Sequence, residues 1–273
     1  MSDRYAVVGD PIDHSRSPQI HARFAAQTGE RLSYAALRVP AGTLAAAVAE
    51  FTASGGRGLN VTVPLKEEAY RLAVTRSARA ERAGAVNTLR LDGDGAPFGD
   101  NTDGVGLVRD LVANLGLELG GRSLLVLGAG GAVRGILAPL LEQRPARLVI
   151  ANRTAERAAA LAAAFSDLGT VAGGGLDAVA GQRFDVVING TAASLGGGTL
   201  ALPESLQVDG GFAYDLVYAR EPTPFMRWAT DHAAAGTADG LGMLVEQAAE
   251  SFYVWRGVRP ETAPVIAALR AEN

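Results

Sequence analysis

The sequence predicts an α/β fold in two domains. Short apolar runs alternate with amphipathic ones, and a glycine-rich turn at 128–131 joins one apolar run to a helix. The 273 residues, 48% of them hydrophobic, are enough for two modest cores. Alternation of strand with helix favours parallel pairing.

Each element follows from its local pattern. Tyr5 to Val8 reads as a buried strand. Ser17 to about Gln27 reads as a helix, with Ser17 as its cap and Pro18 in its first turn. Leu32 to Val39 is a strand, and Thr43 to Phe51 an Ala-rich helix ending near Gly55-Gly56. Gly58 to Val63 is a strand stopped by Pro64, with a helix from about Leu65. Ala85 to Leu91 and Ala96 to Gly99 form a hairpin around Gly93 to Gly95. Asp103 to Leu115 is a helix, and Gly116, Gly120 and Gly121 suggest an interdomain joint. Arg122 to Leu127 is apolar without alternation, as in a strand covered on both faces. A helix to about Glu142, a strand Arg147 to Ala151, a helix Thr154 to Phe165 and strands Asp185 to Asn189 and Phe212 to Val217 complete a nucleotide-binding series. The helices Met243 to Trp255 and Thr262 to Arg270 have no strand to follow and are expected to return to the first domain or the hinge. Gly173 to Gly175 and Gly196 to Gly198 read as loops.

Composition removes several classes of function. The net charge of -4 comes without a basic run, so neither nucleic acid nor a membrane surface is an expected partner. Without cysteine there is no disulfide, thiolate or zinc-thiolate chemistry. No stretch of about 18 apolar residues predicts a membrane span. MSDRYAVVGDP lacks the pattern of a signal peptide, so a cytoplasmic protein is expected. Of 25 basic side chains only Lys66 is a lysine. An amine can release its proton and act as a base where a guanidinium cannot; the alternative is a coding bias with one survivor.

The turn Gly128-Ala129-Gly130-Gly131-Ala132 follows a strand and opens a helix. Glycine lets the backbone approach a pyrophosphate, and the helix N-terminus offers unpaired N–H groups. The third glycine of the usual spacing is Val133. The alternative is a tight turn that binds nothing. An NAD site would place an acid at the next strand tip, whereas this one reads Asn152-Arg153-Thr154. Arginine there accommodates a 2′-phosphate and favours NADP; the alternative is a solvated side chain.

Common dehydrogenase arrangements are missing. No Tyr-x-x-x-Lys occurs, and the three histidines, His14, His21 and His232, form no metal-spaced cluster. No metal is expected, and His21 reads as a surface or core residue. Lys66 stands after Asn60-Val61-Thr62-Val63-Pro64-Leu65, at the strand-to-helix junction where α/β sites lie. Asp103 is its natural partner at a helix start. Such a lysine can exchange a proton with a substrate oxygen while hydride moves on carbon; the alternative is a surface ion pair.

Taken in order, Gly9-Asp10-Pro11-Ile12, His14-Ser15-Arg16-Ser17-Pro18, Asn60 to Pro64, Lys66-Glu67, Gly84-Ala85-Val86-Asn87-Thr88, Gly99 to Gly104, the Gly128 turn, Asn152-Arg153-Thr154 and Ala238 to Met243 resemble the shikimate dehydrogenase family over nearly the whole chain. The resemblance implies an N-terminal α/β substrate domain, residues 1–103 completed by helices in 240–273, and a Rossmann-like NADP domain, 104–239, with the active site in the cleft between them. It implies reversible reduction of 3-dehydroshikimate to shikimate, with Lys66 and Asp103 catalytic. Ser15 and Ser17 would hold the substrate carboxylate through their hydroxyls, although Ser17 could serve only as a helix cap. Asn60, Thr62, Asn87, Tyr218 and Gln247 join Lys66 and Asp103 as substrate contacts. Gly128, Ala129, Gly130, Gly131 and Ala132 match the pyrophosphate loop, and Asn152, Arg153 and Thr154 the 2′-phosphate site. Asn189, Thr191, Leu216 and Gly240 match positions beside the cofactor. Where the family usually reads Asn-Ala-Thr-Ser, this chain has Asn189-Gly190-Thr191-Ala192, losing one hydroxyl. An acid found near the nicotinamide in some members aligns with Ala78.

The expected partner is a small molecule, with a homodimer left open. Three rivals stand beside this reading. A quinate/shikimate dehydrogenase using NAD is opposed by Arg153 and Thr154. A non-catalytic sensor on the same fold is opposed by the retained Lys66 and Asp103. A reductase of another substrate, such as a folate, is opposed by the Ser15–Ser17 pair.

Overall fold

The computed structural model describes residues 2–91, 96–191 and 201–272. It divides into two compact units, Met1–Gly106 with Leu244–Asn273, and Leu107–Met243.

The first unit opens with β1 (Asp3–Gly9), α1 (Ser17–Thr28), β2 (Leu32–Arg38), α2 (Leu44–Ala53) and β3 (Gly56–Val61). Then come α3 (Lys66–Leu72), β4 (Thr75–Arg76), α4 (Ala78–Ala83), β5 (Thr88–Arg90), β6 (Phe98–Asp100) and α5 (Asp103–Arg109). Its six strands lie in the order β2-β1-β3-β5-β6-β4. β1 is parallel to β2 and β3, while β5 runs antiparallel to β3 and β6. The β5–β6 hairpin forms as expected, and its Gly93 to Gly95 tip lies outside the described residues, as does the Gly196 to Gly198 run. Val8, Leu59, Val61, Leu65, Val86 and Leu89 belong to the core of this unit.

Capping of α1 differs from expectation. Arg16 is the N-cap and Ser17 the first helical residue, so Ser17 does not cap the helix. The Ser15 hydroxyl takes the Ser17 N–H at 3.3 Å instead. The one-residue offset frees the Ser17 side chain, which sits in the buried set.

The second unit continues α5 through a π-helical turn, Asp110–Asn114, into β7 (Ser123–Leu127), α6 (Gly131–Glu142), β8 (Arg147–Ala151), α7 (Ala155–Ala164) and β9 (Val171–Gly174). It ends with β10 (Val186–Asn189), β11 (Phe212–Asp215), α8 (Pro224–Asp231), β12 (Gly236–Ala238) and the start of α9 (Leu241–Arg256). The rest of α9, with α10 (Ala263–Ala271), belongs to the first unit. The sheet order is β12-β11-β10-β7-β8-β9, all parallel. With β7 as the first strand this is the doubly wound dinucleotide-binding order, whose ligand crevice opens at the carboxyl ends of β7 and β10. Leu124 and Val126 pack into one core and Leu125 and Leu127 into another, which explains the unbroken apolar run.

Two readings change here. Gly173 and Gly174 are strand residues of β9, not loop. A Cβ on Gly173 would stand 2.1 Å from the Ala158 carbonyl oxygen, so the glycine lets α7 lie against the sheet edge. Gly116, Gly120 and Gly121 are not a joint: they lie inside the second unit, and the chain changes units within α5 and α9.

Candidate active site

Lys66 is the first residue of α3, and Asp103 the first of α5. Lys66 Nζ donates to Asp103 Oδ2 at 2.6 Å, the side chains being 20% and 8% exposed. Asn87 Nδ2 donates to the other oxygen, Asp103 Oδ1, at 2.8 Å. Both carboxylate oxygens are thus engaged, and the ammonium retains hydrogens for a further acceptor. Asn87 itself is fixed from behind: its Oδ1 accepts the Thr102 N–H at 2.8 Å and the Thr88 hydroxyl at 3.0 Å. Because an N–H can only donate, the orientation of this amide is unambiguous.

Gln247, on α9, brings Oε1 to 3.3 Å from Asn87 Nδ2. Asn60, at the end of β3, donates to the Asn87 carbonyl at 3.2 Å and to Ser251 Oγ at 2.9 Å. Lys66, Asp103, Asn87, Asn60 and Gln247 therefore form one hydrogen-bonded group. Ser15 and Ser17 stand together at the start of α1. Thr62 follows β3, its N–H bonded to the Val8 carbonyl at 2.9 Å. Tyr218 lies in the second unit, half-buried, beyond β11.

In the second unit β7 runs into Gly128, whose φ of 107° is left-handed. Gly130 caps α6 with no side-chain bond, and among the described residues a Cβ on Gly130 or Gly131 would meet nothing within 4 Å. Free N–H groups and open space at a helix start fit an anionic phosphate. Ala129 is half-buried and Ala132 exposed. Val133, at the position of the missing glycine, packs where a side chain on Gly190 would lie, 2.5 Å from its Cγ2. The two departures compensate each other. At the β8 tip Asn152 Nδ2 donates to the Thr154 carbonyl at 3.0 Å, and Arg153 and Thr154 are exposed. No ion pair of Arg153 occurs among the described residues. An uncommitted guanidinium at this strand tip fits a 2′-phosphate. Asn189 Oδ1 accepts the Thr191 N–H and hydroxyl at 3.1 and 2.8 Å, and its Nδ2 donates to Asp215 Oδ1 at 3.1 Å. Gly240 lies so near Leu216 that a Cβ would be 2.2 Å from the Leu216 carbonyl oxygen.

Three family models match the chain: the shikimate dehydrogenase substrate binding domain at residues 7–89, shikimate / quinate 5-dehydrogenase at 110–196, and the shikimate 5′-dehydrogenase C-terminal domain at 240–270. The shikimate dehydrogenase (NADP(+)) of Methylococcus capsulatus is 61% identical over 271 residues, 99% of this chain and 97% of that one. The chain belongs to the shikimate dehydrogenase family. Shikimate 5-dehydrogenase of Thermus thermophilus, solved with NADP(H) and shikimate, has a TM-score of 0.88 at 35% identity, covering 98% of this chain and 99% of that one. An Ael1 enzyme from Pseudomonas putida has a TM-score of 0.92 at 46% identity, covering 98% of each chain.

Within this family member the sequence reading passed over several supporting residues. Thr88, Thr102 and Ser251 are buried hydroxyls that bond one another and the two asparagines. Asp100 anchors the loop that carries Asp103, bound by Arg79 through two bonds at 2.7 and 2.5 Å. Only the proximity of Asp100 and Thr102 to Asp103 in the sequence could have pointed to them. Among the described residues no group of three or more His, Asp or Glu side chains is arranged to hold a metal, and no helix is long and apolar enough to cross a membrane.

Proposed function

We propose that this shikimate dehydrogenase family member interconverts 3-dehydroshikimate and shikimate with NADP(H), a step of the shikimate pathway toward chorismate and the aromatic amino acids. The observation that carries the reading is the chain's sole lysine, 2.6 Å from Asp103 and framed by Asn87 and Gln247.

Bound NADPH would supply the hydride. Lys66 gives a proton to the ketone oxygen as hydride reaches its carbon, so the C=O becomes CH–OH, and takes a proton back in reverse. Asp103 keeps the ammonium in place, and Asn87 keeps Asp103 in place. Ser15 and Ser17 hold the carboxylate; Asn60, Thr62, Asn87, Tyr218 and Gln247 arrange the hydroxyls. Gly128 to Ala132 would receive the pyrophosphate on backbone N–H groups, and Asn152, Arg153 and Thr154 the 2′-phosphate. Asn189, Thr191, Leu216 and Gly240 shape the nicotinamide end. The substrate domain is residues 1–103 with 240–273, and the cofactor domain 104–239. The reading makes the protein cytoplasmic, with a small molecule as its partner and no metal.

Rates with shikimate and quinate, each with NADP+ and NAD+, test it. The expected result is the highest kcat/KM for shikimate with NADP+. Folded protein that turns over no shikimate with either cofactor would sink the proposal.

A further inference from the structure

Asn60 is committed almost entirely inside the protein. Its Nδ2 lies 3.2 Å from the Asn87 carbonyl, which can only accept, so the nitrogen side of the amide is fixed. The same nitrogen donates to Ser251 Oγ at 2.9 Å and reaches Thr88 Oγ1 at 3.2 Å. What Asn60 can offer a ligand is a lone pair on Oδ1, an acceptor for a substrate hydroxyl. That oxygen already accepts the Tyr34 hydroxyl at 2.7 Å. The phenol has one proton, and it is spent on this bond. Tyr34 thereby fixes the acceptor side of a residue proposed for a substrate hydroxyl. Its ring is half-buried, with the hydroxyl end enclosed.

Beneath the phenol lies His21, stacked at 4.1 Å and 7°. Phe24, Phe252 and Trp255 surround the imidazole. Among the described residues neither ring nitrogen has a partner in hydrogen-bonding geometry. Burial pushes its pKa down to about 3, with Asn60 near enough to oppose this only weakly. The ring is thus a neutral, flat support and not a donor.

We infer that Tyr34 is a positioning residue for the substrate site: its hydroxyl aims the Asn60 carboxamide, and the His21 ring keeps the phenol in place. The inference deepens the proposed function and rests on it.

Kinetics of Tyr34→Phe, which keeps the ring and its stack, test the inference. Shikimate KM rises about tenfold, with kcat within about threefold and NADP+ KM unchanged. In an Asn60→Ala background the same change costs at most about threefold, because the group it aims is gone. An unchanged shikimate KM, or the full tenfold loss in that background, would overturn the inference. His21→Phe keeps the flat support and leaves shikimate KM within about threefold; a loss as large as that of Tyr34→Phe would overturn the support role. A ligand-free readout separates this inference from the functional one. Hydrogen exchange of the Asn60 side-chain amide rises about tenfold in Tyr34→Phe, while that of Asn189 does not. Unchanged Asn60 exchange defeats the inference whatever the substrate is. Raised exchange in a protein inert toward shikimate defeats the functional reading and leaves the role of Tyr34 standing.

Discussion

In the first unit Lys66, Asp103 and Asn87 already touch, and each has its partners behind it. In the second, Gly130 and Gly131 face open space and Arg153 is exposed. The contrast follows from what each region has to do. Proton transfer needs donors and acceptors fixed before the reaction, so that no reorganisation is required as charge develops. Gripping a phosphate needs groups that no protein partner has claimed. The first region is therefore part of the fold, and the second is not. Substitutions in the first should disturb stability together with chemistry, and those at Arg153 and Gly130 in the second ligand binding alone.

The largest effect is expected at Lys66. Lys66→Ala should lower kcat about 1,000-fold, within the range for loss of a general acid–base. It also leaves Asp103, 8% exposed, without its cation, costing about 1–3 kcal/mol. Steady-state kinetics and urea unfolding of one preparation read both. A kcat near wild type would remove Lys66 from the chemistry. A full loss of rate without loss of stability would break the claim that the site is built into the fold.

Arg153→Ala should behave in the opposite way. Loss of a charge-assisted grip on a 2′-phosphate is worth about 100-fold in kcat/KM for NADP+. Activity with NAD+ should stay as it was, and unfolding free energy should change by less than about 0.5 kcal/mol. Equal losses with both cofactors would mean that Arg153 does not read the 2′-phosphate.

How far the sequence could be read tracks the same division. The single lysine, the glycine turn and the arginine at a strand tip are local signals, each recognisable within a few residues. The frame behind them is not local: Ser251 reaches Thr88 across 163 positions, and Tyr34 reaches Asn60 across 26. A hydroxyl in an amphipathic helix gives no sign of what it will meet. Gly173 was misread for the same reason. Nothing in a run of three glycines distinguishes a loop from a strand pressed against the Ala158 carbonyl. The clustered glycines 116, 120 and 121 read as a joint, whereas the chain passes between units inside α5 and α9.

His21 offers an acid test of the first unit. The folded protein holds its imidazole neutral down to about pH 3, whereas the unfolded chain binds a proton near 6.5. Between these values the unfolded state carries more protons, so stability falls as pH falls, by about 1.4 kcal/mol per pH unit. Above 6.5 this contribution is fully present. Compared with His21→Phe, the wild type should therefore lose about 2 kcal/mol more between pH 7 and pH 5. Parallel stability curves for the two proteins would mean that His21 takes up its proton in the native state.

The smallest effect separates ligand from fold most cleanly, through two glycines of one turn. Gly128 has a φ of 107°, and a Cβ there would be 3.1 Å from the Gly190 carbonyl oxygen. Gly128→Ala should cost about 1–3 kcal/mol of stability, from backbone strain and crowding. Gly130 has an ordinary φ of -90°, and an added Cβ would meet nothing within 4 Å. Among the described residues nothing gives a reason for glycine at that position. A pyrophosphate lying against the backbone does, because a methyl group would keep it from the N–H groups of α6. Gly130→Ala should thus unfold like wild type and bind NADP+ about tenfold more weakly. Wild-type NADP+ affinity in that variant would place the pyrophosphate elsewhere, and a loss of stability equal to that of Gly128→Ala would show that this turn, too, belongs to the fold.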